Sequence, residues 1–374
     1  MRKKRKPDTM LKLKKDHIYN LLRQSILDGS LPPGHRLPPE VSLARELKVG
    51  QVTLRSALAR LEEEGLVTRI RSRGSFINSG TLKKVFLFII PDGAETLDTP
   101  SRYIAAGIDD AALAAGVTVE RCPLSLFQGF SSAERREMIR EHFISGIILE
   151  TGHRKISPQT IAAIKELNLP TVIPHGLPSD VQDTGFLVLR TDEKNAFFQS
   201  YEYIASRGHR NVASLFIQMP GEVDGRPRGF LLSELENWAE ILGLNPAKEL
   251  VAYLPNDTEL IRKQLKFWTG LPESPTAIMC HSDRVAMRVA EILREMKIDL
   301  PQTISLMGYS NFPGSQLIRP ALTTIDTRLR DCAVLALHQL INADSWFAPG
   351  TVPEEILTPF ILLERTSVAQ LDRA

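Results

Sequence analysis

The chain has 374 residues, 43% hydrophobic and 24% charged, which suits a soluble protein of two or three domains and excludes disordered and collagen-like classes. No apolar run approaches the ~20 residues of a membrane-spanning helix, and the first residues do not resemble a secretory signal. Three scattered cysteines without CxxC spacing indicate a reducing, cytoplasmic location and no zinc site.

Charge is divided unevenly along the chain. Residues 1–80 carry 17 Lys and Arg against 8 Asp and Glu, whereas residues 81–374 carry 29 against 36. A basic head on an acidic body indicates that only the head meets a polyanion. A basic solubilising tail is the alternative interpretation of the same asymmetry.

The head begins with a basic arm, residues 1–16, which we expect to be disordered because it opens on a block of like charge. Three helical patterns follow: one from His17, a short one after Pro39, and a third over about 51–64 that ends at Gly65. The third pattern predicts a buried stripe of Val52, Leu54, Ala57, Leu58 and Leu61.

Two short strands around a basic, glycine-containing tip complete the head over residues 66–77. Helix, helix–turn–helix and β-ribbon in this order predict a winged helix–turn–helix over residues 17–78, whose third helix can enter a major groove. Gln51, Thr53 and Arg55 are expected on the helix face opposite the apolar stripe, where Gln and Arg suit bidentate contacts to base edges. Arg69, Arg71 and Arg73 alternate along the wing, so period two places them on one side.

The segment LPPEVSLARELKVGQVTLRSALARLEEEGLVTRIRSRGSFI resembles the winged-helix signature of the GntR family of transcription regulators. The resemblance implies DNA-reading positions at Gln51, Val52, Thr53 and Arg55 on the helix and at Arg71 and Ser72 on the wing. Val41 stands where the family often has a phosphate-binding Arg, and Gly50 where it has Ser or Thr. Phosphate contacts are then expected from Arg36, Arg45 and the wing, including Arg73. A winged helix that serves only protein contacts is the alternative.

After a linker at 79–84, buried strands alternate with helices in two series, which predicts an α/β body with parallel sheets in two lobes. The first series has strands at 85–90, 117–121, 146–149 and 171–174 with helices at 103–115, 132–143 and 158–168 between them. The second begins after a strand at 187–189 and has helices at 193–206, 228–242, 257–269 and 283–296 and strands at 211–217, 250–253, 276–280 and 303–307. Open α/β sheets bind ligands at the carboxyl ends of their strands, so a polar cleft between two lobes is the expected site.

The pieces GHRNVA, GRPRGF and RPALTTID resemble the LacI-type, periplasmic-binding-protein-like effector domain over residues 85–366. With the head, the chain is similar to the chimeric GntR/LacI regulators. The resemblance implies a first lobe of about 85–190 and 321–345 and a second of about 191–318 and 355–366. It also implies crossings between the lobes near Arg190, near Arg319 and within 345–355.

The same resemblance assigns effector-binding positions in the cleft. Ser310 and Asn311 replace an acidic pair that would hold sugar hydroxyls, whereas Arg102 and Arg226, if both face inward, favour a sugar acid or sugar phosphate. Asp192 and Asp283 are expected to cap helices instead. The full effector set is Ser101, Arg102, Glu150, His175, Arg226, Ser282, Ser310 and Asn311.

These patterns predict a homodimeric repressor that binds double-stranded operator DNA and responds to a sugar or sugar derivative. No cofactor, metal or membrane partner is expected. A carbohydrate-acting enzyme with a fused DNA-binding head is the main alternative, although Gly308–Phe312 fails the nucleophile-elbow pattern at its fifth residue. A transport-type binding protein is a further alternative, which would need an export signal.

Overall fold

A computed structural model describes residues 17–26, 30–32, 34–70, 73–78, 84–93, 100–152, 154–218, 230–245, 248–348 and 355–371. The basic arm at 1–16 and most of the expected linker at 79–84 lie outside the described residues. The chain divides into two compact units, the first of 1–85, 116–118 and 133–145 and the second of 86–115, 119–132 and 146–374.

The first unit contains the winged helix–turn–helix. Residues 17–26 are helical (α1), followed by α2 (Glu40–Glu46), α3 (Gln51–Glu63), β1 (Val67–Ile70) and β2 (Gly74–Ile77). The two strands are antiparallel, with Val67 opposite Ile77 and Ile70 opposite Gly74. Gly65 adopts the left-handed conformation predicted for it (φ 71°), and the Leu66 amide donates to the Leu61 carbonyl, which ends α3.

One apolar core holds these helices and strands together. Its buried members come from α1, α2, α3 and the wing, including Leu22, Leu43, Leu54, Leu58 and Ile77. Val52 was expected in this core but is 70% exposed, because the helix turns its side chain about 100° from Thr53 and about 200° from Leu54, away from the buried face.

The second unit contains two α/β lobes. The first lobe has a six-stranded sheet of order β13-β7-β6-β5-β3-β4, formed by β3 (Val85–Ile90), β4 (Thr118–Pro123), β5 (Ile144–Leu149), β6 (Thr171–Ile173), β7 (Leu187–Thr191) and β13 (Glu355–Thr358). Its helices are α4 (Pro100–Ala115), α5 (Leu124–Gly129), α7 (Pro158–Lys165), α8 (Asp180–Thr184) and α13 (Leu329–Ile341), whereas residues 133–141 of α6 (Ser132–Glu141) belong to the first unit.

The second lobe has a four-stranded parallel sheet of order β11-β10-β8-β9. Its strands are β8 (Val212–Gln218), β9 (Val251–Pro255), β10 (Ala277–Cys280) and β11 (Ser305–Met307), and its helices are α9 (Glu193–Ser206), α10 (Leu232–Leu242), α11 (Thr258–Thr269) and α12 (Asp283–Glu295). Successive residues of β10 alternate between two apolar clusters, Ile278 and Cys280 on one face and Ala277 and Met279 on the other. The sheet is therefore buried on both sides, as its continuous apolar strands predict.

Two expected lobe boundaries are wrong. Residues 321–326 were assigned to the first lobe, but β12 (Thr324–Asp326) pairs with β14 (Ile361–Leu363), and Thr323 forms a parallel bridge to Met307 of the second-lobe sheet. Residues 355–358 were assigned to the second lobe, but β13 pairs in parallel with β7 of the first-lobe sheet. The crossings therefore lie after Asp326 and after Thr358, not near Arg319 or within 345–355.

Candidate functional site

The outward face of α3 is the first candidate surface. Gln51, Val52 and Arg55 are exposed near the start of this helix, and Arg45 is exposed on α2. Thr53 was expected beside them but is 7% exposed, because it lies one turn before Ala57 on the buried face. The predicted reading face is therefore reduced to Gln51, Val52 and Arg55.

Ion pairs join this helix to its neighbours. The Arg55 Nε donates to Glu40 Oε2 at 2.7 Å, and Glu40 Oε1 lies 3.9 Å from Arg69 Nη1. The Arg69 Nε in turn donates to Glu62 Oε2 at 2.7 Å, and this bond lowers the pKa of Glu62. Glu40 was not predicted as a functional residue, although the sequence pattern places it at the start of α2.

The wing keeps part of its predicted basic surface. Arg73 is exposed at the tip, and the Arg36 side chain lies against Gly74, where a Cβ atom would come within 3.2 Å of Arg36 Nε. Residues 35–37 bond to β2 through the Leu37 and Ile77 amides, which fixes Arg36 beside the wing. Arg71 and Ser72 lie outside the described residues.

The second candidate site is a cleft of about 390 Å³ in the second unit, lined by both lobes. First-lobe residues follow the ends of β3, β5 and β6, and second-lobe residues follow the ends of β9, β10 and β11. This is the carboxyl-end position at which open α/β sheets bind ligands. His175 (φ 54°) and Ser310 (φ 96°) line the cleft with left-handed backbone, a strain that concentrates at ligand sites.

Four predicted effector residues line this cleft: Ser101, His175, Ser282 and Ser310. Ser282 also caps α12, accepting from the Val285 amide at 3.5 Å. Arg226 lies outside the described residues. Sequence reasoning missed the cleft residues Arg154, Arg284, Arg288, Asn256 and Glu193, which short-range patterns do not distinguish from ordinary surface residues.

Glu150 lies behind the cleft wall rather than in it. Its carboxylate is fully buried, and Oε1 accepts from Ser101 Oγ at 3.0 Å and from the Gly152 amide at 2.8 Å, both donors belonging to residues that line the cleft. Burial raises the pKa of Glu150 to about 7 despite these two bonds. The group therefore supports the cleft wall and changes charge close to neutral pH.

The structure places three other predicted residues differently. Arg102 is exposed and does not line the cleft, because α4 begins at Pro100 and one helical residue turns it about 100° from Ser101. Asn311 is used within the second lobe, donating to Asp326 Oδ2 at 3.0 Å and accepting from Arg365 Nη2 at 2.7 Å. Asp283 is not a cap, unlike Asp192, which accepts from the Asn195 amide as predicted.

Asp283 instead joins three segments at the base of the second lobe. Its carboxylate accepts from Thr324 Oγ1 at 2.6 Å and from the Phe312 amide at 2.7 Å, and it packs against Gly308. Burial raises its pKa to about 7. These bonds fix the loop after β11, which carries Ser310 at the cleft.

Within the described ranges, no group of three or more His, Cys, Asp or Glu side chains is placed to hold a metal ion. No helix in the same part of the chain has the length and apolar character needed to cross a bilayer.

Comparison with known proteins gives two domain matches. Residues 14–77 match the family of bacterial regulatory proteins named gntR, and residues 201–368 match the periplasmic binding protein-like domain. The arabinose metabolism transcriptional repressor of Geobacillus stearothermophilus is 22% identical over 93% of this chain and 97% of its own length.

Other relatives agree with these matches. The probable transcriptional repressor ExuR of Bacillus subtilis is 24% identical over 65% of this chain and 70% of its own length. A LacI-family putative transcriptional regulator from Rhizobium etli has the same fold, with a TM-score of 0.62 at 22% identity, covering 77% of this chain and 99% of that structure.

Proposed function

We propose that this chain, which joins a GntR-type DNA-binding domain to a periplasmic-binding-protein-like domain, is a sequence-specific transcriptional regulator controlled by a small polar ligand. It acts as a cytoplasmic homodimer that represses transcription from double-stranded operator DNA. A sugar or sugar derivative bound in the cleft changes operator affinity by favouring one arrangement of the lobes. The protein binds its ligand and does not turn it over.

The observation that carries the proposal is the division of α3 into two faces. Leu54, Leu58 and Leu61 are at most 1% exposed. Gln51 and Arg55, at the start of the same helix, are exposed. A helix held this way can place its first turn in a major groove, where Arg pairs with guanine and Gln with adenine.

The remaining basic residues supply the phosphate contacts. Arg36 and Arg73 flank the wing, and Arg45 is exposed on α2. Guanidinium groups at these places would fix the orientation of the domain on the duplex without reading sequence. Arg71 and Ser72 are proposed as further wing contacts on the resemblance alone.

The test is selection of binding sites from a random duplex pool at physiological salt, using the full chain and Arg55→Ala. We expect the wild type to enrich an inverted repeat, because a two-fold dimer presents two equivalent helices. Arg55→Ala should bind the selected site ~10–100-fold more weakly, the effect of losing one base contact.

Arg136→Ala is the matched control, since Arg136 is exposed on α6 and is not part of the winged helix. It should leave site affinity unchanged. Enrichment of no sequence by the wild type would overturn the proposal, as would equal binding of the selected site by wild type and Arg55→Ala.

A further inference from the structure

We infer that the cleft takes an anionic ligand, a sugar acid or sugar phosphate whose charged group is held between guanidinium groups of the two lobes. The effect of this ligand on operator binding rests on the proposed function. The binding of the ligand in the cleft can be tested independently of that function. The shared chemistry is a polyhydroxylated molecule that carries one carboxylate or phosphate.

Three arginines line the cleft from opposite sides. Arg284 and Arg288 are four residues apart on α12 and so share one face of that helix in the second lobe, whereas Arg154 follows β5 in the first lobe. Arg288 Nη1 donates to Asn256 Oδ1 at 2.5 Å, which orients its guanidinium at the cleft edge. Within the described part of the chain, neither Arg154 nor Arg288 forms an ion pair.

The described cleft lining contains fewer acidic residues than arginines. Asp92 is one of its two acidic residues, and both oxygens of that carboxylate accept from Ser125, from Oγ at 2.6 Å and from the amide at 3.1 Å. These bonds lower the pKa of Asp92 and hold its carboxylate on the first lobe. Glu193 is the other acid, at the start of α9. Against three arginines, the described lining keeps net positive charge.

The N-terminus of α12 adds to this field. Ser282, Arg284 and Val285 all line the cleft, so the first turn of a 13-residue helix faces the same space as the arginines. The positive end of the helix dipole favours an anion at this place. A planar guanidinium fork pairs with carboxylate or phosphate through two parallel bonds, which gives such a group a defined position.

The rest of the lining suits a sugar ring. Phe197 and Tyr309 stack with ring centroids 4.6 Å apart, and both line the cleft with Phe230 and Phe312. Apolar ring faces can pack against sugar C–H groups, while Ser101, His175 and Ser310 offer hydrogen bonds to hydroxyls. An anion bound between Arg154 and the α12 arginines also relieves the repulsion between the two lobes, so its binding favours closure.

The first experiment compares matched probes on the full chain by calorimetry and thermal unfolding. The probes are D-glucose, D-glucuronate and D-glucose 6-phosphate, the corresponding D-arabinose, D-arabinonate and D-arabinose 5-phosphate, and inorganic phosphate. We expect at least one charged probe to raise the melting temperature more than its neutral parent. Comparison of the sugar acids with the sugar phosphates then shows which anion the cleft prefers.

The second experiment uses the same probes on Arg284→Gln/Arg288→Gln, on Arg154→Gln, and on Arg294→Gln as control. Arg294 lies on the same helix, is exposed and does not line the cleft. We expect the first two variants to bind the preferred anion at least tenfold more weakly and the control to match wild type. Arg154→Lys should retain part of the affinity, because it keeps the charge and loses the fork.

Two results would overturn the inference. One is a neutral sugar that binds as tightly as its acid and its phosphate. The other is a full panel in which no anion stabilises the wild type more than it stabilises Arg284→Gln/Arg288→Gln. Operator binding by the same preparations is measured separately, so failure of the anion inference is distinguishable from failure of the DNA-binding proposal.

Discussion

Glu150 shows how one residue can link the cleft to pH. Its carboxyl is fully buried with a pKa raised to about 7, and it bonds to Ser101 and Gly152 of the cleft wall. The groups near it are the Cys332 thiol, whose pKa burial raises to about 11, and His175, whose backbone bonds to that thiol. Because folding favours the protonated acid, its contribution to stability is present below the ordinary pKa of 4.5 and is lost as the pH rises through about 7.

The substitution Glu150→Gln removes this titration while keeping the shape of the side chain. We predict that the variant gains stability relative to wild type as the pH rises from about 4.5 to 7, by on the order of 3 kcal/mol in total. Denaturant unfolding of both proteins across this pH range measures the difference. A difference that stays constant with pH would show that folding does not raise the pKa of Glu150.

Glu40 is the residue that positions the Arg55 guanidinium on α3. The Glu40 carboxylate accepts from Arg55 Nε at 2.7 Å, and the Arg55 side chain remains 61% exposed. We predict that Glu40→Gln lowers the ratio of specific to random-duplex affinity about tenfold, because Arg55 loses its fixed geometry while the surface loses a negative charge. Competition binding with selected and scrambled duplexes measures the ratio. An unchanged ratio would mean that Arg55 is positioned without Glu40.

The sequence predicts which segments supply the functional residues better than it predicts which way each side chain faces on its helix. Ser101 and Arg102 were both predicted at the cleft, but they lie on a helix that begins three residues earlier than its apolar pattern indicates, and only Ser101 faces inward. Thr53 and Val52 were misplaced for the same reason, since Thr53 is buried with the apolar stripe and Val52 is exposed. A phase error of one residue in a helix turns a side chain by about 100°.

At the scale of elements, the alternation of strands and helices was predictable and the pairing of strands was not. Helices α9, α11 and α12 lie within one residue of their predicted limits, because long apolar periodicity fixes them. Strand β13 has four residues, and its partner β7 is more than 160 residues away, so no local signal assigns it to the first lobe. Helix α13, which follows the crossing after Asp326 back to the first lobe, was not predicted.

The close packing of α4 on α13 depends on one glycine. A Cβ atom at Gly107 would lie 2.4 Å from the Arg330 carbonyl oxygen and 2.8 Å from Ala333 Cβ. We predict that Gly107→Ala destabilises the second unit by about 1–3 kcal/mol, because the two helices must separate. Gly129→Ala is the control, because Gly129 is also helical and a Cβ atom added there would meet no neighbouring atom within 4 Å. Denaturant unfolding should separate the variants, and equal stability would contradict this account of the packing.

At the scale of the whole molecule, one chain carries two candidate binding surfaces. The winged helix offers an exposed basic face for DNA, and the cleft offers a site for a small ligand that is lined by three arginines and by aromatic rings. A ligand can change operator affinity only by its difference in affinity for two states of the protein, typically ~1–3 kcal/mol. Linkage then requires that DNA change ligand affinity by the same factor.

Reciprocal titration of the full chain tests this coupling most directly. Operator affinity is measured with and without a saturating cleft ligand, and ligand affinity with and without operator. We predict that each affinity changes by the same factor, about 5–150-fold. Arg284→Gln/Arg288→Gln should abolish this change without altering operator affinity in the absence of ligand. Tight binding of both ligand and operator, with neither affinity affected by the other, would contradict it.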